Sequence, residues 1–144
     1  MLGVFSAMDV AASGLSAERT RMNTIAANLA NARTTRTAQG GPYRRIDPVF
    51  EAVLLDRTKG GMLGESGVAE VRVARIEEDK RPGQMVYEPG HPDANGQGYV
   101  EYPNVNAVEE MVNIITASRA YEAGVTSIDT IKQMARSAID LGRG

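Results

Sequence analysis

The stretch SGLSAERTRMNTIAANLANA, residues 13–32, decides the fold, because its apolar side chains recur at helical spacing. Extended to the N-terminus, the repeat forms one column of large apolar residues at intervals of seven: Met1, Met8, Leu15, Met22 and Leu29. A companion column is apolar except at its third position: Phe5, Ala12, Arg19 and Ala26. This heptad pattern predicts a helix from about Gly3 to about Asn31 that buries its stripe against another helix.

The other end of the chain carries a second pattern of the same kind. One column contains Met111, Ser118, Val125, Lys132 and Ile139, and its companion contains Ile114, Tyr121, Ile128 and Ala135. Asn106 is a good N-cap, Glu109 follows three residues later, and Gly142 is a natural stop, so this helix is predicted to end near Leu141. The predicted fold is mainly α, with the two terminal helices paired as an antiparallel coiled coil around a small, irregular, β-containing middle.

The middle of the chain is polar and broken by turn residues. A connector is predicted over 33–41, a short strand over 43–46, and an irregular or helical piece over 49–55, because Pro48 interrupts regular structure. The glycines between 60 and 67 predict a loop. Further strands are predicted over 71–76, 84–87 and 99–102, with a loop over 88–98. We therefore divide the chain into residues 1–32, 33–103 and 104–144, the first and last forming one coiled-coil domain.

Composition narrows the classes of partner. The net charge of −2 and the pI near 5.5 give no electrostatic reason to expect nucleic acid. No stretch approaches the roughly 20 apolar residues of a membrane span, so no direct membrane insertion is expected. Residues 1–18 lack Lys and Arg, so any export is expected to proceed without a cleaved signal peptide.

The residue types of an active site are scarce. The chain has no Cys and one histidine, His91, in a Pro-Gly-His-Pro-Asp turn whose imidazole is expected to be solvated or bonded locally. No nucleophile elbow, phosphate-binding loop or dinucleotide pattern occurs. We therefore expect no catalytic residue, no cofactor and no metal, and an enzyme is the least favoured class.

Several polar residues fall on the predicted helices. Arg19 and Lys132 occupy seam positions, where each either reaches the edge of the seam or meets a carboxylate of a neighbouring chain. Thr24, Asn28 and Asn31 form a polar stripe at i, i+4 and i+7. This stripe is either a solvated face or a set of hydrogen-bonding groups for neighbouring helices in an assembly.

The same stretches resemble a known family. Residues 13–32, together with YVEYPNVN at 99–106 and ASRAYEA at 117–123, are similar to the two halves of the signature of bacterial flagellar rod and hook proteins. GPYRR at 41–45 and VYEPGHPDA at 86–94 resemble one short member, a component of the proximal rod. Two positions depart from the family's usual pattern. Arg33 stands where Asn or Thr is common, and Gly124 stands where Asn is common. Gly124 is expected to loosen the second helix by about 1 kcal/mol relative to Ala and to permit a bend.

The resemblance implies a structural subunit of the flagellar basal body, exported by the flagellar type III apparatus and assembled with itself into the rod, which is periplasmic in a Gram-negative cell. Its implied partners are other proximal and distal rod proteins, the MS-ring and the protein that joins the rod to it. An export adaptor and another rod component are the alternatives. We expect the assembly interface to include Phe5, Met8, Leu15, Arg19, Met22, Asn28, Leu29, Asn31, Met111, Ile114, Arg119, Tyr121, Val125, Ile128 and Lys132.

Overall fold

The computed structural model describes residues 2–54 and 69–142 and contains two long helices separated by four strands. The elements in chain order are α1 (Leu2–Ala30), β1 (Ile46–Leu54), β2 (Ala69–Glu78), β3 (Gln84–Tyr87), β4 (Tyr99–Tyr102) and α2 (Ala107–Leu141). The predicted fold class is confirmed, because long terminal helices enclose a small middle of short antiparallel strands. The predicted loop over residues 60–67 lies outside the described residues.

The two helices pack against each other in antiparallel orientation. Asn28 near the end of α1 contacts Glu110 near the start of α2, whereas Leu15 lies against Gly124 further along. The predicted start of α2 is confirmed, since Asn106 Oδ1 accepts hydrogen bonds from the amides of Val108 and Glu109 at 3.1 and 3.3 Å. Its end is also as predicted. Gly142 is the C-cap, and its amide donates to the carbonyls of the last turn.

On α2, one of the two columns predicted to form the seam is wrong by one residue. The column from Ile114 to Ala135 is half-buried, as expected, but its companion is the column of Glu110, Ala117 and Gly124. The predicted companion is mostly exposed: Met111, Val125, Lys132 and Ile139. Small side chains at two positions of this column, Ala117 and Gly124, allow the helices to approach closely.

The seam on α1 also differs from the prediction. The column of Met8, Leu15, Met22 and Leu29 is half-buried, but its companion is exposed at Ala12, Arg19 and Ala26. The buried residues of α1 are instead Ala17, Thr24, Ile25 and Asn28. The difference arises because α1 contacts β1 and β2 as well as α2. Two faces of α1 are therefore covered, whereas a pattern for two paired helices predicts one.

The strands form two separate antiparallel ribbons, β1 with β2 and β3 with β4. The prediction of a strand over 43–46 followed by an irregular piece is wrong, because β1 begins at Ile46 and continues through Pro48. In a ribbon of two strands each strand has an unpaired edge, which tolerates the missing amide of a proline. A register shift follows directly, between Val49 and Phe50.

The hydrophobic core of the single chain is small. Among the described residues, the buried hydrophobic side chains are Ala17, Ile25, Val100 and Ala117. Large apolar side chains such as Val108, Ile115 and Leu141 are more than half exposed. In the described part of the chain, no helix is both long enough and apolar enough to span a membrane. Several large apolar side chains of α2 are therefore not covered by the rest of the chain.

Gly124 has a packing role that composition does not reveal. A Cβ atom at this position would lie 2.7 Å from Leu15 Cδ2, whereas a Cβ at Gly14 of α1 would meet nothing within 4 Å. The helix runs without interruption through Gly124. The glycine therefore creates room for Leu15 in the contact between the helices.

These two helical glycines should respond oppositely to alanine. Gly14→Ala should raise the free energy of unfolding by about 1 kcal/mol through helix propensity. Gly124→Ala should show no such gain, because the new methyl displaces Leu15. Urea unfolding followed by circular dichroism measures both. The double variant Leu15→Ala/Gly124→Ala should be more stable than Leu15→Ala alone, because the new methyl then has room. Equal gains in stability from Gly14→Ala and Gly124→Ala would contradict the close contact.

Candidate assembly interface

The helix pair is joined by a buried polar cluster around Asn28, which we call the Asn28 hub. Asn28 is fully buried, and its Nδ2 donates to Glu110 Oε2 at 3.2 Å and to the Ile46 carbonyl at 2.9 Å. Its Oδ1 accepts from the Tyr43 hydroxyl and from the Ile46 amide, both at 3.0 Å. Both donors and both acceptor sites of the amide are therefore used. Arg45 completes the hub, since its Nε donates to Glu110 Oε1 at 2.8 Å.

The charges of the hub compensate one another. Glu110 is 1% exposed, and an isolated carboxylate there would be strongly unfavourable. Burial opposes the charge of Arg45, but hydrogen bonds to Glu110 and the attraction of Asp47 raise the pKa of Arg45 above its ordinary value. Burial, together with the negative charge of Glu110, also raises the pKa of Tyr43. The phenol therefore stays protonated and donates to Asn28.

A second polar cluster joins the ribbons to the start of α2. Asn104 Oδ1 accepts from the Arg45 amide at 2.9 Å, and its Nδ2 donates to the carbonyls of Asp79 and Arg81 at 3.1 Å. Hydrogen bonds from Arg81 lower the pKa of Asp79 to about 2. Arg44 contributes a salt bridge to Glu101 at 3.0 Å. The end of β2, the residues before β1 and the residues after β4 are thus held together.

The predicted histidine loop is closed by local bonds. His91 Nδ1 accepts from the Asp93 amide at 3.1 Å, as expected for a rigid turn. The Asp93 carboxylate accepts from Thr35 Oγ1 at 2.8 Å and pairs with Arg36 at 3.6 Å. In residues 2–54 and 69–142 no group of three or more His, Cys, Asp or Glu side chains could hold a metal ion.

One cleft lies where the ribbons meet the start of α2 and has the character of a structural junction. Its volume is about 590 Å³, and its lining includes Arg45, Arg81, Asn104 and Glu109. Three of these residues already hydrogen-bond within the chain, and no side chain around the cleft is a typical nucleophile. The cleft therefore offers no arrangement of convergent reactive groups.

The predicted interface residues differ in burial: most are half-buried or exposed, and Asn28 is fully buried. Those that are half-buried are Met8, Leu15, Met22, Leu29, Asn31, Ile114, Tyr121 and Ile128. Those that are exposed are Arg19, Met111, Arg119, Val125 and Lys132. Phe5 belongs to α1, but its side chain lies outside the described residues. The exposed Arg19 donates to the Tyr121 hydroxyl of its own chain at 3.4 Å, which agrees with an arginine that reaches the edge of the seam.

Asn28 requires a correction. Both interpretations of the polar stripe, a solvated face or a set of groups for neighbouring chains, are wrong for Thr24 and Asn28, which are buried inside the chain. Thr24 Oγ1 donates to the Thr20 carbonyl at 2.9 Å, and Asn28 bonds only within the hub. Asn31 is half-buried and donates to the Ala27 carbonyl at 2.9 Å. The physical reason is the chain after α1, which returns over this face and brings Tyr43 and Ile46 to Asn28.

The heptad pattern includes only one residue, Met111, of an exposed apolar surface on α2. Four side chains of α2 form what we call the α2 ridge, each between 51% and 70% exposed: Val108, Met111, Val112 and Ile115. Their spacing of i, i+3, i+4 and i+7 places them on one face, opposite the seam of Glu110 and Ala117. The same spacing in the sequence could have revealed a second apolar face on this helix.

Two long helices that share a polar hub and leave apolar faces open define a class of helical assembly subunit. Two family models match the corresponding ends of the chain. One is described as flagella basal body rod protein and covers residues 8–36, and the other as flagellar basal body rod FlgEFG protein C-terminal and covers residues 97–141. The class is therefore that of flagellar basal-body rod proteins.

Full-length relatives narrow the class to one family. The chain is 47% identical to the flagellar basal-body rod protein FlgC of Borreliella burgdorferi, over 99% of this chain and 100% of the relative. It is 39% identical to FlgC of Salmonella typhimurium, again over 99% and 100%. The FlgC of Bacillus subtilis is 37% identical over 96% of this chain and 98% of its own length. The chain belongs to the FlgC family of flagellar basal-body rod proteins.

The hub predicts unequal effects of two asparagine variants. Asn28→Ala should lower the free energy of unfolding by about 3 kcal/mol, because it leaves Glu110, Tyr43 and the Ile46 backbone buried with fewer partners. The matched control, Asn31→Ala, lies directly after the same helix, removes local bonds to the Ala27 carbonyl and the Thr34 hydroxyl, and should cost about 1 kcal/mol or less. Urea titration of both variants measures the two changes in the free energy of unfolding. Equal losses of stability would show that the hub does not hold the helices together.

Proposed function

We propose that this chain is a structural subunit of the proximal rod of the bacterial flagellar basal body. It polymerises with like subunits and other rod components into the shaft that transmits motor torque and encloses the export channel. One observation carries the proposal: a chain similar over its full length to FlgC proteins leaves a continuous apolar face of its longer helix uncovered. A single chain with such a small core gains most from burying that face in an assembly.

The proposal includes the interface and the domain division. Residues 1–32 and 104–144 form the inner domain of paired helices, and residues 33–103 form the outer part. The half-buried and exposed residues of the predicted interface, together with the α2 ridge, are the surfaces offered to neighbours. The Asn28 hub supports this role from inside, because it fixes the position of one helix relative to the other.

We further propose that the partners are proximal and distal rod proteins, the MS-ring and its junction protein, and the flagellar type III export apparatus. Export would occur without a cleaved signal peptide. The chain is proposed to act without catalysis, cofactor or metal, which is supported by the lack of convergent reactive groups in the cleft between the ribbons and α2. The structural role of rod proteins named in the comparisons supports the same assignment.

The test replaces the native copy of the gene with variants and measures swimming and the composition of purified basal bodies. Loss of the chain should abolish swimming, and the unaltered chain should restore it. Ile115→Glu, on the α2 ridge, should prevent incorporation, because it places a charge in the buried contact. The matched control is Ile76→Glu on β2, which changes an equally exposed isoleucine, 52% against 55%, and should retain swimming.

Two outcomes would overturn the proposal. Full swimming and incorporation of Ile115→Glu would show that the α2 ridge makes no contact in the assembly. Restored swimming without any chain in purified basal bodies would favour an export adaptor. Circular dichroism of both variants shows whether a loss reflects assembly or folding, since both positions are exposed and the melting curves should match that of the unaltered chain.

A further inference from the structure

The α2 ridge continues along the helix into charged residues. Arg119 and Glu122 follow Ile115 at spacings of four and three, so they lie on the same face as the apolar side chains. Both are exposed, and among the described residues no ion pair joins them. The ridge is therefore a strip of large apolar side chains that ends in opposite charges.

A face of different character is exposed on α1, and we call it the α1 outer face. Its residues follow one another at spacings of four and three and are all exposed: Ala12, Ser16, Arg19, Asn23, Ala26 and Ala30. Four of the six are alanine or serine, so a neighbouring helix can approach its backbone closely. Arg19 is the single charge on this face.

We propose that the α2 ridge of one subunit docks on the α1 outer face of a second copy of this chain, with Ile115 against Ala26 and Glu122 against Arg19. The inference rests on the proposed function and specifies which surfaces form one of its contacts. Large exposed side chains of one surface fit between the small exposed side chains of the other, as knobs fit holes in a coiled coil.

The orientation of the contact follows from the fold. Within the chain α2 runs antiparallel to α1. If all subunits of a polymer point the same way, the α2 of a neighbour is also antiparallel to α1. The two contacting surfaces differ, so the contact is heterologous. Each subunit offers one of each surface to the next, which produces a ring or a helical repeat and not a closed dimer.

The register of the contact follows from charge. Ile115 and Glu122 are separated by seven residues, as are Arg19 and Ala26, so one antiparallel alignment satisfies both pairs. Sliding the neighbour by three residues would place Arg119 opposite Arg19, which is repulsive. Arg19 donates one hydrogen bond, to Tyr121 of its own chain, which places its guanidinium at the edge of the helix pair. The guanidinium carries five N–H donors, so it can bond a carboxylate as well.

The absence of Cys from the chain allows a direct test by disulfide trapping. Ala26→Cys and Ile115→Cys are placed on separate copies, both copies are produced in a cell without the native gene, and purified basal bodies are oxidised. A covalent dimer should form only when both variants are present. The matched control pairs Ile115→Cys with Ala12→Cys, which lies on the same face of α1 but about 21 Å away along the helix, and it should give no dimer.

Charge reversal tests the register independently of the cysteines' exact placement. In the Ala26 and Ile115 cysteine background, Glu122→Arg should reduce the dimer yield by about fivefold, and adding Arg19→Glu should restore it. If Glu122→Arg lowered the yield by impairing folding, adding Arg19→Glu would not restore it. Restored yield in the double variant therefore reports on the contact itself.

The outcomes separate this inference from the proposed function. If either cysteine variant is absent from basal bodies, Ala30→Cys with Met111→Cys reports on the same alignment. Incorporation without a dimer from either pair, or a dimer from the Ala12 control, overturns the proposed contact while the rod assignment stands. Absence of the unaltered chain from basal bodies would instead overturn the proposed function.

Discussion

The structure depends on the buried hydrogen bond between Asn28 of α1 and Glu110 of α2. The two helices are long, their contact contains small side chains, and apolar packing alone would tolerate sliding of one helix along the other. A fully buried amide and a buried carboxylate tolerate no sliding, because any shift leaves each group without partners in a place that water does not reach. Buried polar residues in coiled coils are known to specify register in the same way.

The same interaction connects the helices to the rest of the chain. Ile46 begins β1 and bonds to Asn28 through both its amide and its carbonyl, so the first ribbon starts at a fixed distance from the helix pair. Arg45 bonds to Glu110 through its side chain and to Asn104 through its backbone, which ties the ribbons to the start of α2. A chain with few buried apolar side chains can in this way hold a defined shape and still expose large apolar surfaces. This combination is suited to a subunit whose remaining apolar faces are covered by neighbours in a rod.

The sequence predicted the helices well and the contacts between them less well. The N-cap at Asn106, the stop at Gly142 and the closed turn at His91 depend on local bonds, and all three were correct. The residue type of Pro48 predicts a break, but β1 continues through it, because the unpaired edge of a two-stranded ribbon tolerates a missing amide. Helix propensity predicts a weak point at Gly124, yet this glycine accommodates Leu15. One of the two heptad columns on α2 was wrong by one residue, and the column that replaces it includes the small residues Ala117 and Gly124, where the helices approach closely.

Periodicity, capping residues and turn residues by themselves determined that two long helices enclose a short β-containing middle, because these signals act between residues close in the chain. The family signature added the class of assembly. Only the tertiary structure decided that Asn28 and Glu110 are inside, that Arg19 and Ala26 are outside, and that Val108, Val112 and Ile115 form an uncovered ridge. An asparagine on a helix is compatible with either solvent or a buried network. The choice depends on residues such as Tyr43, Arg45 and Ile46, whose approach to Asn28 is set by the path of the whole chain.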